Sequence, residues 1–215
     1  MKVFIGWDSR EDIAYQVCKY TIQKYTNNIE IIPLRQYELR ERGIYNRPED
    51  IKGTTEFTLT RFLVPYLSQY KGKSLYIDGD MIVREDITNI LKEEGGAVSV
   101  VKHVYSPKSL IKKDKQDQHI YPRKNWSSVM LFDNKQCTNL TPEVINRSTP
   151  EYLHRLHWAE TIGSLHPRWN TLVGYQKNEN GIIHFTDGGP WLGYHRNDPE
   201  GKEWISCLKE CYEIE

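Results

Sequence analysis

Two aspartates flank one glycine at Asp78-Gly79-Asp80, directly after the apolar run Ser74–Ile77 and directly before Met81-Ile82-Val83. Hard carboxylate oxygens at this spacing suit a divalent cation such as Mg²⁺ or Mn²⁺, commonly shared with substrate phosphates. Gly79 permits a backbone turn through which the two side chains can converge on one point. An Asp-x-Asp tripeptide often arises by chance, but a buried-strand pattern before it and an apolar triplet after it give this one a context. The bland alternative is a polar turn at a strand end.

His184 is the second candidate. It follows Gly181-Ile182-Ile183 and opens the run Phe185-Thr186-Asp187-Gly188-Gly189-Pro190-Trp191. A lone histidine near a strand is usually a hydrogen-bonded core residue. Here, however, Gly188 and Gly189 offer backbone N–H groups of the kind that cradle phosphate. An imidazole added to two carboxylates favours Mn²⁺ over Mg²⁺.

Such residues need a frame to bring them together. Lys2–Trp7, Ile29–Leu34, Ser74–Ile77, Gly96–Lys102, Ser127–Phe132 and Gly181–Phe185 read as strands. Glu11–Tyr25 reads as a helix with Ile13, Val17, Cys18 and Thr21 or Ile22 on one face. Thr58–Tyr70 carries Leu59, Phe62, Leu63, Tyr66 and Leu67 at helical spacing, with Pro65 predicted to kink it. Thr149-Pro150 is a helix start, and a last amphipathic helix begins near Gly201. Strands alternating with helices predict an α/β domain with a mixed, mainly parallel, Rossmann-like sheet covered on both faces. Ligands bind such sheets at the carboxyl ends of strands, where Asp78 and Asp80 fall.

The stretch 105–125 is polar, and from 106 onward it holds six Lys/Arg against two Asp, so it is expected to be a long basic loop or lid. Over all 215 residues, 29 Lys+Arg balance 29 Asp+Glu, which argues against a nucleic-acid partner held by counterion release. Four cysteines lack the density of a disulfide scaffold, and the apolar runs fall far short of the roughly 20 residues that span a bilayer. A cytoplasmic protein is expected, and the abrupt end after the last helix suggests a domain cut from a longer polypeptide.

At these residues the sequence resembles the GT-A glycosyltransferases, most closely the family 8-like retaining branch with glycogenin and bacterial galactosyltransferases. Leu75–Val83 matches the DxD motif, Met1–Asp8 the first strand, and Leu59–Leu67 the segment with an arginine upstream of the metal motif. Asn125–Asp133 is similar to the family's FNSGVMLFN segment, Leu165–Leu172 to its LPxxWN segment, and His184–Trp191 to its metal-binding histidine block.

The resemblance implies one GT-A domain, with a nucleotide-sugar part at 1–104, the loop at 105–125 and an acceptor and metal-completing part at 126–215. It implies a Mn²⁺-dependent (Mg²⁺ as substitute) transfer of a hexose or deoxyhexose from a UDP-sugar to a glycan or glycoprotein acceptor, with retention. Asp80 and His184 are the implied direct ligands, with Asp78 bridging to metal or ribose. Asp8 is implied for uracil, although it could equally cap the following helix. Arg61 is implied to pair with an aspartate or the diphosphate. Gly79, Gly188, Gly189 and Trp191 complete the donor-binding set.

Three places depart from the family pattern. Gly189 stands where a diphosphate-binding lysine is usual, and Trp126 stands where an asparagine is usual, with Asn125 one place earlier. The residue near the anomeric carbon has no clean counterpart. Glu160 is assigned there because it precedes the Trp169-Asn170 landmark, with Asp187 as the other candidate to orient sugar or acceptor. Trp126, Trp169 and Trp191 could stack on sugar rings, core packing being expected for at least two. Two alternatives remain open: a haloacid-dehalogenase-type phosphohydrolase, which would need its DxD after the first strand and a later acidic pair, and a non-catalytic carbohydrate-binding domain.

Overall fold

The computed structural model describes residues 1–48, 55–93, 95–104, 122–177 and 179–213, so most of the expected basic loop, 105–121, lies outside the described residues. The chain runs through β1 (Lys2–Gly6), α1 (Asp12–Tyr25), β2 (Glu30–Leu34), α2 (Gln36–Glu41), α3 (Phe57–Thr60) and α4 (Val64–Leu67). It continues through β3 (Lys73–Ile77), β4 (Met81–Val83), β5 (Val98–Val100), β6 (Val129–Asp133), α5 (Pro142–Arg147) and α6 (Pro150–His154). β7 (Ile162–Ser164), β8 (Thr171–Leu172), β9 (Ile182–His184) and α7 (Pro199–Cys211) complete it.

Six strands form the central sheet in the order β2-β1-β3-β6-β5-β7. β1 pairs in parallel with β2 and β3, and β5 with β7, while β6 alone runs antiparallel to its neighbours β3 and β5. The sheet is buried on both sides, as its continuous apolar strands require. Val3 and Ile5 of β1 and Leu75 and Ile77 of β3 face one cluster with Tyr15, Cys18 and Ile22 of α1. Phe4 and Tyr76 face the other, with Phe62, Leu63, Leu153 and Trp158. Each large side chain so buried contributes about 1.5–3 kcal/mol of hydrophobic transfer.

A second, three-stranded sheet in the order β4-β9-β8 packs Ile82 and Ile183 against Val17 of α1 and Trp204 and Cys207 of α7. Its strands have only two or three residues, too short for a period to show. The side chain of Thr21 on α1 accepts the N–H of Val83 at 3.0 Å, satisfying β4 where no strand does. Two expectations change. Ile13 is 39% exposed, because the buried face of α1 is Ala14, Tyr15, Val17, Cys18, Thr21 and Ile22. The segment 57–67 is two helical turns joined by a 3-10 turn (Arg61–Leu63) rather than one kinked helix, with Pro65 in the first turn of α4, where its missing N–H costs nothing.

Candidate active site

The Asp78–Asp80 turn is built by three neighbours. Asp78 N–H donates to the Ser128 carbonyl at 3.0 Å, extending the β3–β6 ladder by one residue. Gly79 is required by a close approach: a Cβ there would lie 2.4 Å from the Gly6 carbonyl oxygen, so the turn is pressed against the end of β1. The chain then enters β4, where Met81 pairs with His184 of antiparallel β9, and Phe185 N–H donates to the Asp80 carbonyl at 3.0 Å. This pairing carries a histidine from the far end of the chain to the carboxylates.

Asp78, Asp80 and His184 each offer a ligand atom, all within 4.8 Å of one another. His184 Nε2 lies 3.4 Å from Asp80 Oδ2. Its Nδ1 meets the amide oxygen of Asn170 at 2.9 Å, while the amide nitrogen of Asn170 donates to the Asn125 carbonyl at 3.2 Å. That second bond fixes which way the amide points, so Nδ1 donates to Asn170 and Nε2 faces the carboxylates. Two carboxylates and an imidazole nitrogen so oriented fit Mn²⁺ or Mg²⁺.

Arg61 pairs with Asp78 at 3.0 Å, and Tyr76 donates its hydroxyl to the same oxygen at 2.6 Å. The guanidinium also donates to the carbonyls of Ser127 and Phe57 and packs over the rings of Tyr76 and Phe57. Burial pushes the Asp78 carboxyl above the usual carboxylate range; Arg61 opposes this and the neighbouring Asp80 charge reinforces it.

Asp8 is saturated from within. Its carboxylate accepts the Arg10 backbone N–H at 2.9 Å, two guanidinium bonds from Arg10 at 2.9 and 2.7 Å, and the Glu56 N–H at 3.1 Å. These donors occupy its four lone-pair directions, so a nucleobase would have to displace one. Nor is Asp8 the α1 cap; Glu11 holds that position, and its side chain makes no capping bond to the helix.

The glycine turn differs from the expected cradle. Gly188, at φ 103, donates its N–H inward to the Phe185 carbonyl at 2.8 Å. A Cβ on Gly189 would lie 2.0 Å from the Trp191 ring, so this glycine makes room for the indole. Trp191 itself packs on Phe185 and Trp204 and donates to Glu11, clamping the turn to the β1–α1 loop. Trp169 is fully buried, and Trp126 donates its indole N–H to the His103 carbonyl. Asp187, three residues beyond His184, accepts the Tyr175 hydroxyl at 2.7 Å.

Glu160 is not brought to the cluster. Ile162 is level with Val98, Phe132 and Ser74 across the sheet. Glu160 precedes that level by two residues and Asp78 follows it by four. At about 3.3 Å per residue, the two are roughly 20 Å apart along the strands. Asn170 and Tyr76, by contrast, were not singled out in the sequence and are integral to the site; Asn170 lies in the segment similar to LPxxWN.

No protein-family model matches the chain. The Arabidopsis thaliana protein CDI is 37% identical over 223 residues, spanning 97% of this chain and 86% of that protein. The galactosyltransferase LgtC, solved in complex with donor and acceptor sugar analogues, aligns over 98% of this chain and 96% of its own, with a TM-score of 0.60 at 12% identity. The apo structure of the bifunctional glycosyltransferase WbbM aligns over 100% of this chain and 51% of its own, with a TM-score of 0.63 at 16% identity. These structures share the GT-A fold with this chain. Among the described residues no helix is long and apolar enough to cross a membrane.

Proposed function

The chain belongs to the family of the Arabidopsis thaliana protein CDI, and for it we propose a metal-dependent glycosyltransferase. It moves a hexose or deoxyhexose from a UDP-sugar to a glycan or protein acceptor with retention of anomeric configuration. The observation that carries this reading is the Asp78–Asp80–His184 cluster at the carboxyl end of β3, on a glycosyltransferase fold. A nucleotide sugar needs its diphosphate leaving group stabilised, and a bound Mn²⁺ or Mg²⁺ supplies that as a Lewis acid. Asp78, Asp80 and His184 hold it.

The chain's own residues do the positioning. Asn170 sets the His184 tautomer, Arg61 and Tyr76 fix the Asp78 carboxylate, and Gly79 lets the turn sit on the end of β1. The nucleobase lies at the carboxyl end of β1, where it exchanges with a donor now on Asp8. Asp187, steadied by Tyr175, orients the sugar or the acceptor. No side chain is assigned as a covalent nucleophile. With Gly188 bonded inward and Gly189 filled by Trp191, the diphosphate relies on the cation and on basic residues of the 105–125 segment.

The whole of 1–215 works as one domain in this reading. A panel of nucleotide sugars with Mn²⁺, scored by thermal shift and then by released UDP, tests it. Metal-dependent release of UDP from one donor supports the proposal. Release of phosphate from simple phosphomonoesters with no action on any nucleotide sugar overturns it in favour of a phosphohydrolase, and sugar binding without UDP dependence or turnover favours the binding-domain alternative.

A further inference from the structure

His103 follows β5 by three residues at the carboxyl edge of the sheet. Val100 of β5 is paired with Met130, which is paired with Tyr76 of β3. His103 lies just past this level, and the start of β6 links it to the cluster: its carbonyl accepts the Trp126 indole N–H, and two residues on, the Ser128 carbonyl accepts the Asp78 N–H. His103 is 8% exposed, and its Nε2 is buried with no hydrogen-bond partner among the described residues. Its backbone is tied on both sides: its N–H donates to the Val101 carbonyl at 3.0 Å and its own carbonyl accepts the Trp126 indole at 2.9 Å. A buried imidazole nitrogen held in place without a bond is rare in folded proteins and needs a reason.

A second group of the same kind stands nearby. Asn125 is left-handed at φ 65, and its amide nitrogen is buried without a partner among the described residues. Its carbonyl accepts from Asn170, the residue that also orients His184. The two orphaned nitrogens thus flank the start of β6, beside the cluster.

The chemistry of the missing partner follows from what these groups are. His103 contributes no ligand atom to the 4.8 Å cluster, so it is not a direct metal ligand. Burial, aided by the nearby His184, pushes its imidazole down to about 4, which leaves it neutral at physiological pH. A neutral imidazole and a carboxamide match hydroxyl groups, whereas phosphate is matched by cations. Resting on the glycosyltransferase reading, we propose that His103 is a specificity-determining contact of the transferred sugar. Its buried Nε2, at the carboxyl edge of the sheet beside Trp126 and the start of β6, hydrogen-bonds a hydroxyl of that sugar.

The test compares wild type with His103→Leu and His103→Gln by calorimetry with Mn²⁺, titrating UDP and then the donor sugar found in the panel, followed by steady-state kinetics. UDP affinity is expected to stay within about twofold in both variants, because the nucleotide does not touch His103. Donor affinity and kcat/KM are expected to fall about tenfold in His103→Leu, the worth of one hydrogen bond. Discrimination between donors that differ at one hydroxyl should collapse with it, and His103→Gln should restore part of the loss. If the leucine variant does not fold, His103→Asn, which keeps a polar group but shortens its reach, carries the same comparison. Unchanged donor ranking, or equal loss of UDP and donor affinity, overturns the assignment. A wild type that neither binds UDP nor acts on any donor overturns the glycosyltransferase reading itself, and this assignment falls with it.

Discussion

Asp8 and Asp78 are both buried, both follow a parallel strand of the same sheet and both pair with an arginine, yet their carboxyls are driven in opposite directions. At Asp8, burial favours the neutral form, but the side-chain and backbone bonds from Arg10 and the Glu56 N–H outweigh it and hold the group below its ordinary 3.8. At Asp78, burial wins: one arginine is not enough, and a second carboxylate stands beside it. The first is a finished structural joint. The second sets two carboxylates and an imidazole within reach of one point, the donor set of a divalent-cation site.

The largest expected effect separates the two directly. Asp80→Asn should reduce nucleotide-sugar turnover by about 100-fold or more, since it removes a metal ligand and not merely a supporting bond. Asp8→Asn should leave the Mn²⁺ affinity of the protein within about twofold. Mutation of the support comes next. Asn170→Ala frees the His184 ring and should weaken Mn²⁺ binding about 10–100-fold, read by metal titration.

Stability against pH gives the sharpest contrast. A carboxyl with a lowered folded pKa stabilises above its unfolded value and loses that contribution as pH falls through the folded one. Asp8→Asn should therefore cost about 1–3 kcal/mol at pH 7, by urea unfolding, with the deficit closing below about pH 4. For Asp78, raised in the fold, the sign reverses: the contribution is complete below the unfolded value and is lost as pH rises through the folded one. Metal-free Asp78→Asn should therefore gain on wild type as pH climbs from 4 toward 7. Parallel slopes for the two variants would erase the distinction. The smallest effect is expected of Glu160→Gln, which should change kcat/KM by less than about twofold because the residue lies at the other end of the strands.

The cluster was legible in the sequence because its residues carry the chemistry themselves, and Ser74–Ile77 and Gly181–Phe185 announce the strands that present them. What joins them was not legible. β4 and β9 have three residues each, too few for a period, so the Met81–His184 pairing is a tertiary fact. Asn170 and Tyr76 act through geometry that residue type does not advertise. Gly79 was read as a turn residue and is needed for the contact with Gly6; Gly189 was read as a phosphate cradle and makes room for Trp191. Glu160 shows the limit of linear landmarks, because β7 separates it from Asn170. Five strands of the central sheet were legible as apolar runs, whereas β7, three residues long and only half-buried, was not.

The most direct measurement is a calorimetric titration of the wild-type protein with UDP, once in EDTA and once in excess Mn²⁺. The account predicts binding of one UDP per chain that appears only with Mn²⁺. UDP binding of equal affinity in EDTA and in Mn²⁺ would contradict it.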